Sequence, residues 1–105
     1  MQYHLIVLLG YLIGCSNMAV YLAALLGVDL RAGGSGNPGA SNAMILMGWR
    51  AGILVGLHDI GKAAAAVLLC EWLFPALPLA GAAAGAACVL GHMFPFYLKF
   101  KGGKG

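Results

Sequence analysis

The stretch LIVLLGYLIGCSNMAVYLAALLGV, residues 5–28, decides the fold class. Its 24 positions hold no charged side chain, and about 20 predominantly apolar residues are enough for a helix to cross a bilayer. A helix at the surface of a soluble domain keeps one polar face towards water. This stretch has none, so it reads as a membrane span. The remainder agrees: of 105 residues, 62% are hydrophobic and 9% charged, with a mean hydropathy of +0.91. Soluble domains sit at about 45–50% apolar and about 25% charged. The sequence therefore predicts an all-α integral membrane protein.

Outward from that span, DLRAGGSGNPGASN at residues 29–42 is too rich in glycine, with a proline besides, to continue as helix. It is expected to be a loop, followed by a short interfacial helical turn over residues 43–48. Trp49 and Arg50 form the aromatic and basic pair that marks a membrane boundary. A second span is expected over about 51–74 and a third over about 79–98, joined by a tight connection between Pro75 and Pro78 that makes them antiparallel. The chain then reads as a single membrane domain, 1–105, with loops at 29–50 and 99–105. Small residues recur four apart at Gly10 and Gly14, at Gly48, Gly52 and Gly56, and at Gly81 and Gly85, a spacing that lets helices approach closely in lipid.

Arg31, Arg50, Lys99, Lys101 and Lys104 all fall in the two loops on one side, and the opposite side has no Lys or Arg. The positive-inside rule places those loops in the cytoplasm and the amino terminus outside. Net charge, +3, is small, and no basic run is interleaved with stacking aromatics, so nucleic acid is not an expected partner. Cys15, Cys70 and Cys88 lie in apolar stretches without the spacing of a disulfide framework or zinc site. No metal or cofactor is expected. Residues 12–15, LIGC, are similar to a lipoprotein cleavage box, but the preceding MQYH lacks Lys and Arg and the apolar run continues well beyond Cys15.

Both segments on the presumed cytoplasmic side suit an anion. GGSGNPG at 33–39 can turn several backbone N–H groups towards one point, with Ser35, Asn37 and Asn42 adding side-chain donors. FKGGKG at 100–105 couples mobile glycines to two ammonium groups. Neither is a nucleotide P-loop. On composition alone, plain membrane-flanking loops explain them equally well. In the second span, Asp59 and Lys62 share a helix face and can pair, because an isolated charge at the bilayer centre costs about 2.5–3.5 kcal/mol. They are either a polar wall of a site or a structural ion pair. His92, near the end of the third span and just before Pro95, is expected to hydrogen-bond in the bundle; no catalytic base or nucleophile can be identified.

In order, these residues form five blocks: VDLR at 28–31, GSGNPGASN at 34–42, Asp59 with Lys62, GHMFP at 91–95 and FKGGKG at 100–105. The pattern closely resembles the bacterial acyl-phosphate:glycerol-3-phosphate acyltransferases, over nearly the whole chain. The resemblance implies a seven-span inner-membrane enzyme that moves a fatty acyl group from acyl phosphate to the sn-1 hydroxyl of glycerol 3-phosphate and yields lysophosphatidic acid. It places Ser35, Gly36, Asn37 and Asn42 in the first loop of the substrate site and Gly102, Gly103, Lys104 and Gly105 in its phosphate-binding loop, with Arg31, Asp59, Lys62 and His92 as supporting residues. Its partners would be glycerol 3-phosphate, acyl phosphate and membrane lipids.

The sequence also departs from that pattern. Gly14-Cys15-Ser16-Asn17 stands where the family has a Gly-Ser-Ile-Pro turn, and Ile45 where it has an arginine. The family's later spans and third conserved block have no counterpart before Gly105, so a carboxy-terminal half is expected to be missing. An inactive truncated relative and a small membrane interaction protein are the alternatives.

Overall fold

The computed structural model describes residues 2–31, 34 and 39–98. Among them are five α-helices: α1 Gln2–Cys15, α2 Met18–Leu26, α3 Ala40–Met47, α4 Trp49–Leu73 and α5 Ala80–Met93, followed by a 3₁₀ turn, Phe96–Leu98. The chain divides into two compact units. One holds α1, the part of α4 from Gly61 onward, and α5 with the 3₁₀ turn; the other holds α2, α3 and α4 up to Ile60.

In the first unit, α1 and α5 run parallel and meet through glycine. A side chain at Gly10 would come within 2.9 Å of the Ala87 methyl, and one at Gly14 would overlap the backbone of Cys88. Gly91 returns the contact against the backbone of Tyr11 and Gly14. The α4 helix lies antiparallel to α5, with the Glu71 side chain over Gly81 and Val67 over Gly85. Ile6, Ala66, Cys70, Ala80, Ala84 and Cys88 form the buried core between these elements. With so many small residues, packing rests on backbone proximity and not on bulk. The Gly48, Gly52 and Gly56 series behaves differently: Gly52 packs against Met44, but a side chain at Gly56 would meet none of the described residues within 4 Å.

In the second unit, Ala19, Ala23, Leu30, Ala43 and Val55 are the core. Gly27 ends α2 in the left-handed region, φ 70°, so that Val28 N–H reaches the Ala23 carbonyl at 2.8 Å. Gly48, φ 95°, separates α3 from α4, and positive φ suits a residue without Cβ.

Many large apolar side chains point outward, among them Leu25 at 79% exposure and Trp72 at 75%. In water such a surface would aggregate; lipid or further helices satisfy it. Two helical stretches, 2–26 and 49–73, are long and apolar enough to cross a membrane. Two expectations need correction here. The first span is not one helix but two, parted at Ser16 and Asn17. The helix of the third span does not continue to residue 98: α5 has 14 residues, because Pro95 cannot extend the ladder and Phe94 leaves helical geometry.

Candidate functional site

In the second unit, the described ends of the polar loop are held by local hydrogen bonds. Asp29 Oδ1 accepts the Arg31 N–H at 3.0 Å, an Asx-type turn that starts the loop and leaves the Arg31 side chain exposed. Asn42, in the first turn of α3, is fully buried, and its Nδ2 donates to the Leu30 carbonyl at 3.0 Å. That bond ties the start of the loop to the helix that ends it. Gly34, φ 53°, comes so close to Asn42 Oδ1 that a Cβ there would collide with it. One Asn42 donor is thus engaged within the loop; the sequence had suggested it for a ligand. The other expected ligands, Ser35, Gly36, Asn37, Gly102, Gly103, Lys104 and Gly105, lie outside the described residues. Ile45, standing where the resembled pattern has arginine, is an exposed apolar side chain.

Further along α4 in the same unit, Asp59 Oδ1 lies 3.7 Å from His58 Nδ1, and the His58 ring meets Tyr21 edge to face at 6.2 Å. Asp59 was the partner expected for Lys62.

In the first unit, Lys62 has partners that the sequence did not indicate. Its ammonium, on a residue only 8% exposed, donates to the carbonyls of Gly14 at 2.9 Å and Ser16 at 2.7 Å, and stands 2.9 Å from His92 Nδ1. An ammonium has no acceptor, so a charged Lys62 donates this bond to His92 Nδ1. Tyr97 donates to the intervening carbonyl, that of Cys15, and Tyr11 to the carbonyl of Phe94 at 2.7 Å. These contacts gather the end of α1, the middle of α4 and the end of α5. The two tyrosines were not foreseen as participants. In the second unit Asn17 caps the start of α2, also unforeseen, although Asn three residues before a helical N–H is the N-cap spacing.

Among the described residues no cluster of His, Cys, Asp or Glu could hold a metal ion. What the described geometry offers is a loop whose start is tied to Asn42 in one unit and a buried cation with a histidine in the other.

Comparison with known proteins sets these features in context. The sequence profile of the family described as glycerol-3-phosphate acyltransferase matches residues 4–105. Similar relatives, all named glycerol-3-phosphate acyltransferase, include one from Myxococcus xanthus strain DK1622, 48% identical over 95% of this chain and 53% of its own length. One from Pseudomonas aeruginosa strain LESB58 is 43% identical over 96% of this chain and 53% of its own. Among solved structures, the glycerol 3-phosphate form of PlsY, an integral membrane glycerol 3-phosphate acyltransferase, superposes with a TM-score of 0.87 at 37% identity, covering 98% of this chain and 52% of that one. The chain spans about half the length of the curated relatives it matches. With a family match over almost every residue and a shared membrane fold, the chain belongs to the glycerol-3-phosphate acyltransferase family.

Proposed function

We propose that the protein serves a bacterial inner-membrane enzyme that transfers a fatty acyl group from acyl phosphate to the sn-1 hydroxyl of glycerol 3-phosphate. The hydroxyl oxygen attacks the acyl carbon, an ester C–O bond forms, the mixed-anhydride C–O bond breaks and phosphate leaves, with the hydroxyl proton passing to phosphate or solvent. Because acyl phosphate is already activated, holding two phosphates and aligning hydroxyl with carbonyl supplies much of the catalysis through proximity and charge neutralisation. No covalent nucleophile is required. The observation that carries this reading is the structural likeness to an enzyme captured in a glycerol 3-phosphate form; a second similar structure is in a lysophosphatidic acid form.

In this reading Ser35, Gly36, Asn37 and Asn42 belong to one phosphate-facing loop and Gly102, Gly103, Lys104 and Gly105 to the other, with Arg31 supporting them from the loop's start. Both loops face the cytoplasm, the chain contributes three spans of a seven-span bundle, and its partners are the two phosphorylated substrates and membrane lipid.

The test is kinetic, in the chain completed with a family-like carboxy-terminal half. Losing a charge-assisted bond to phosphate costs about 1.5–3 kcal/mol, so Lys104→Ala is expected to lower kcat/KM for glycerol 3-phosphate roughly ten- to a hundredfold. Ser35→Ala is expected to lower it as well. Unchanged kinetics in both variants would show that these loops only flank the membrane.

A further inference from the structure

A helix end leaves its last carbonyls without intrahelical partners, and within a bilayer water is not there to take them. The break after α1 creates this problem at three successive residues. Each has an answer from elsewhere in the same unit: Gly14 and Ser16 from the Lys62 ammonium, Cys15 from the Tyr97 hydroxyl. Lys62 carries three N–H donors, and the two carbonyls and His92 Nδ1 supply three acceptors. Its charge also lies at the carboxy-terminal, negative end of the α1 dipole, where a cation is stabilising. Ser16 and Gly61 are also the residues at which the chain leaves and rejoins this unit, so Lys62, adjacent to Gly61, ties those two points together.

We propose that Lys62 is a positioning residue: a fixed internal cation that closes the hydrogen bonds of the broken first span and orients His92, and not a ligand for substrate phosphate. Its donors are already spent on the protein. An apolar side chain of equal length would leave the Gly14 and Ser16 carbonyls without these bonds, and the break would loosen locally.

Cys15, buried at 4% exposure in the break, is a built-in reporter, and Cys70, buried about two turns beyond Lys62 on α4, is its control. The protein as its cell makes it is taken in detergent micelles and treated with N-ethylmaleimide, with the labelled cysteines resolved by mass spectrometry. Lys62→Met is expected to accelerate Cys15 labelling by about tenfold while Cys70 is unchanged, as for local opening. Lys62→Arg, which keeps the charge, is expected to restore most of the protection. Equal acceleration at both cysteines, no acceleration at either, or an arginine variant no better than methionine would each overturn the proposal. Should Lys62→Met fail to accumulate in membranes, Tyr97→Phe carries the same test, and an unchanged Cys15 rate would overturn it.

A kinetic arm rests on the acyltransferase reading. There Lys62→Met is expected to lower kcat with KM for glycerol 3-phosphate changed by less than about twofold, whereas a raised KM at unchanged kcat would make Lys62 a phosphate ligand and overturn the proposal. An inactive wild-type protein would instead count against the acyltransferase reading, and the labelling arm would still decide the role of Lys62.

Discussion

Asn17 sits with φ −136° and ψ 105°, outside helical geometry, and its side-chain oxygen accepts the Val20 N–H at 3.2 Å. This one residue lets a second helix start in the middle of an apolar run. A proline would break the helix by removing a donor; asparagine does it by offering the backbone a competing acceptor. Asn17→Ala is expected to destabilise the protein by about 1 kcal/mol, the usual worth of such a cap, while Asn17→Ser retains most of it. Unfolding by SDS titration in mixed micelles measures both, and equal stability of all three proteins would show that the cap is dispensable.

Among the elements, α4 was the most legible. Residues 51–74 were expected and Trp49–Leu73 is found, because Gly48 and the Trp49-Arg50 pair mark one end and Pro75 the other. The Gly10 and Gly14 spacing does bring α1 against α5, whereas the equally regular Gly52 and Gly56 do not form one face against a neighbour; spacing alone cannot say which face is covered. The Asp59 and Lys62 expectation shows the same limit. Helical spacing can place two charges on one side, but the carbonyls that receive the Lys62 ammonium arise 46 and 48 residues away in sequence, at a break that periodicity does not reveal. The proposed orientation of the elements rests on five of the six Lys and Arg residues falling in the segments 29–50 and 99–105. A cysteine placed at Ala76, in the turn between α4 and α5, is expected to react from outside the cell with a reagent that cannot cross membranes, and one placed at Ala32 is expected to stay protected. The reverse pattern would invert the topology and remove the proposed loops from the cytoplasm.

For the whole molecule, the 105 residues match about half the length of each relative, and the acyltransferase proposed above is expected to draw further polar groups from outside them. Insertion requires apolar spans, and those are present. Transfer of the acyl group requires alignment of both substrates, which a partial set of groups loses steeply. The 105-residue polypeptide expressed alone is therefore expected to insert into membranes without making lysophosphatidic acid from acyl phosphate and glycerol 3-phosphate. Co-expression of a family-like carboxy-terminal half as a second polypeptide is expected to produce activity. Product formed at an enzymatic rate by the short chain alone would contradict this account.

The short α5 has a consequence for the surrounding bilayer. Its 14 residues rise only about 21 Å, against a hydrocarbon thickness of about 30 Å. The hydrophobic mismatch is relieved if lipid thins beside α5, or if the backbone from Phe94 to Leu98 lies at hydrocarbon depth inside a protein-lined cleft, where Tyr11 and Tyr97 already occupy polar groups of this region. In the first case the protein would sense membrane thickness. Reconstituted with a family-like carboxy-terminal half into vesicles of increasing acyl length, from fourteen to twenty-two carbons, the protein is expected to work best in the thinner bilayers and to lose activity progressively in the thickest; a flat dependence would mean that neighbouring helices shield the end of α5 completely.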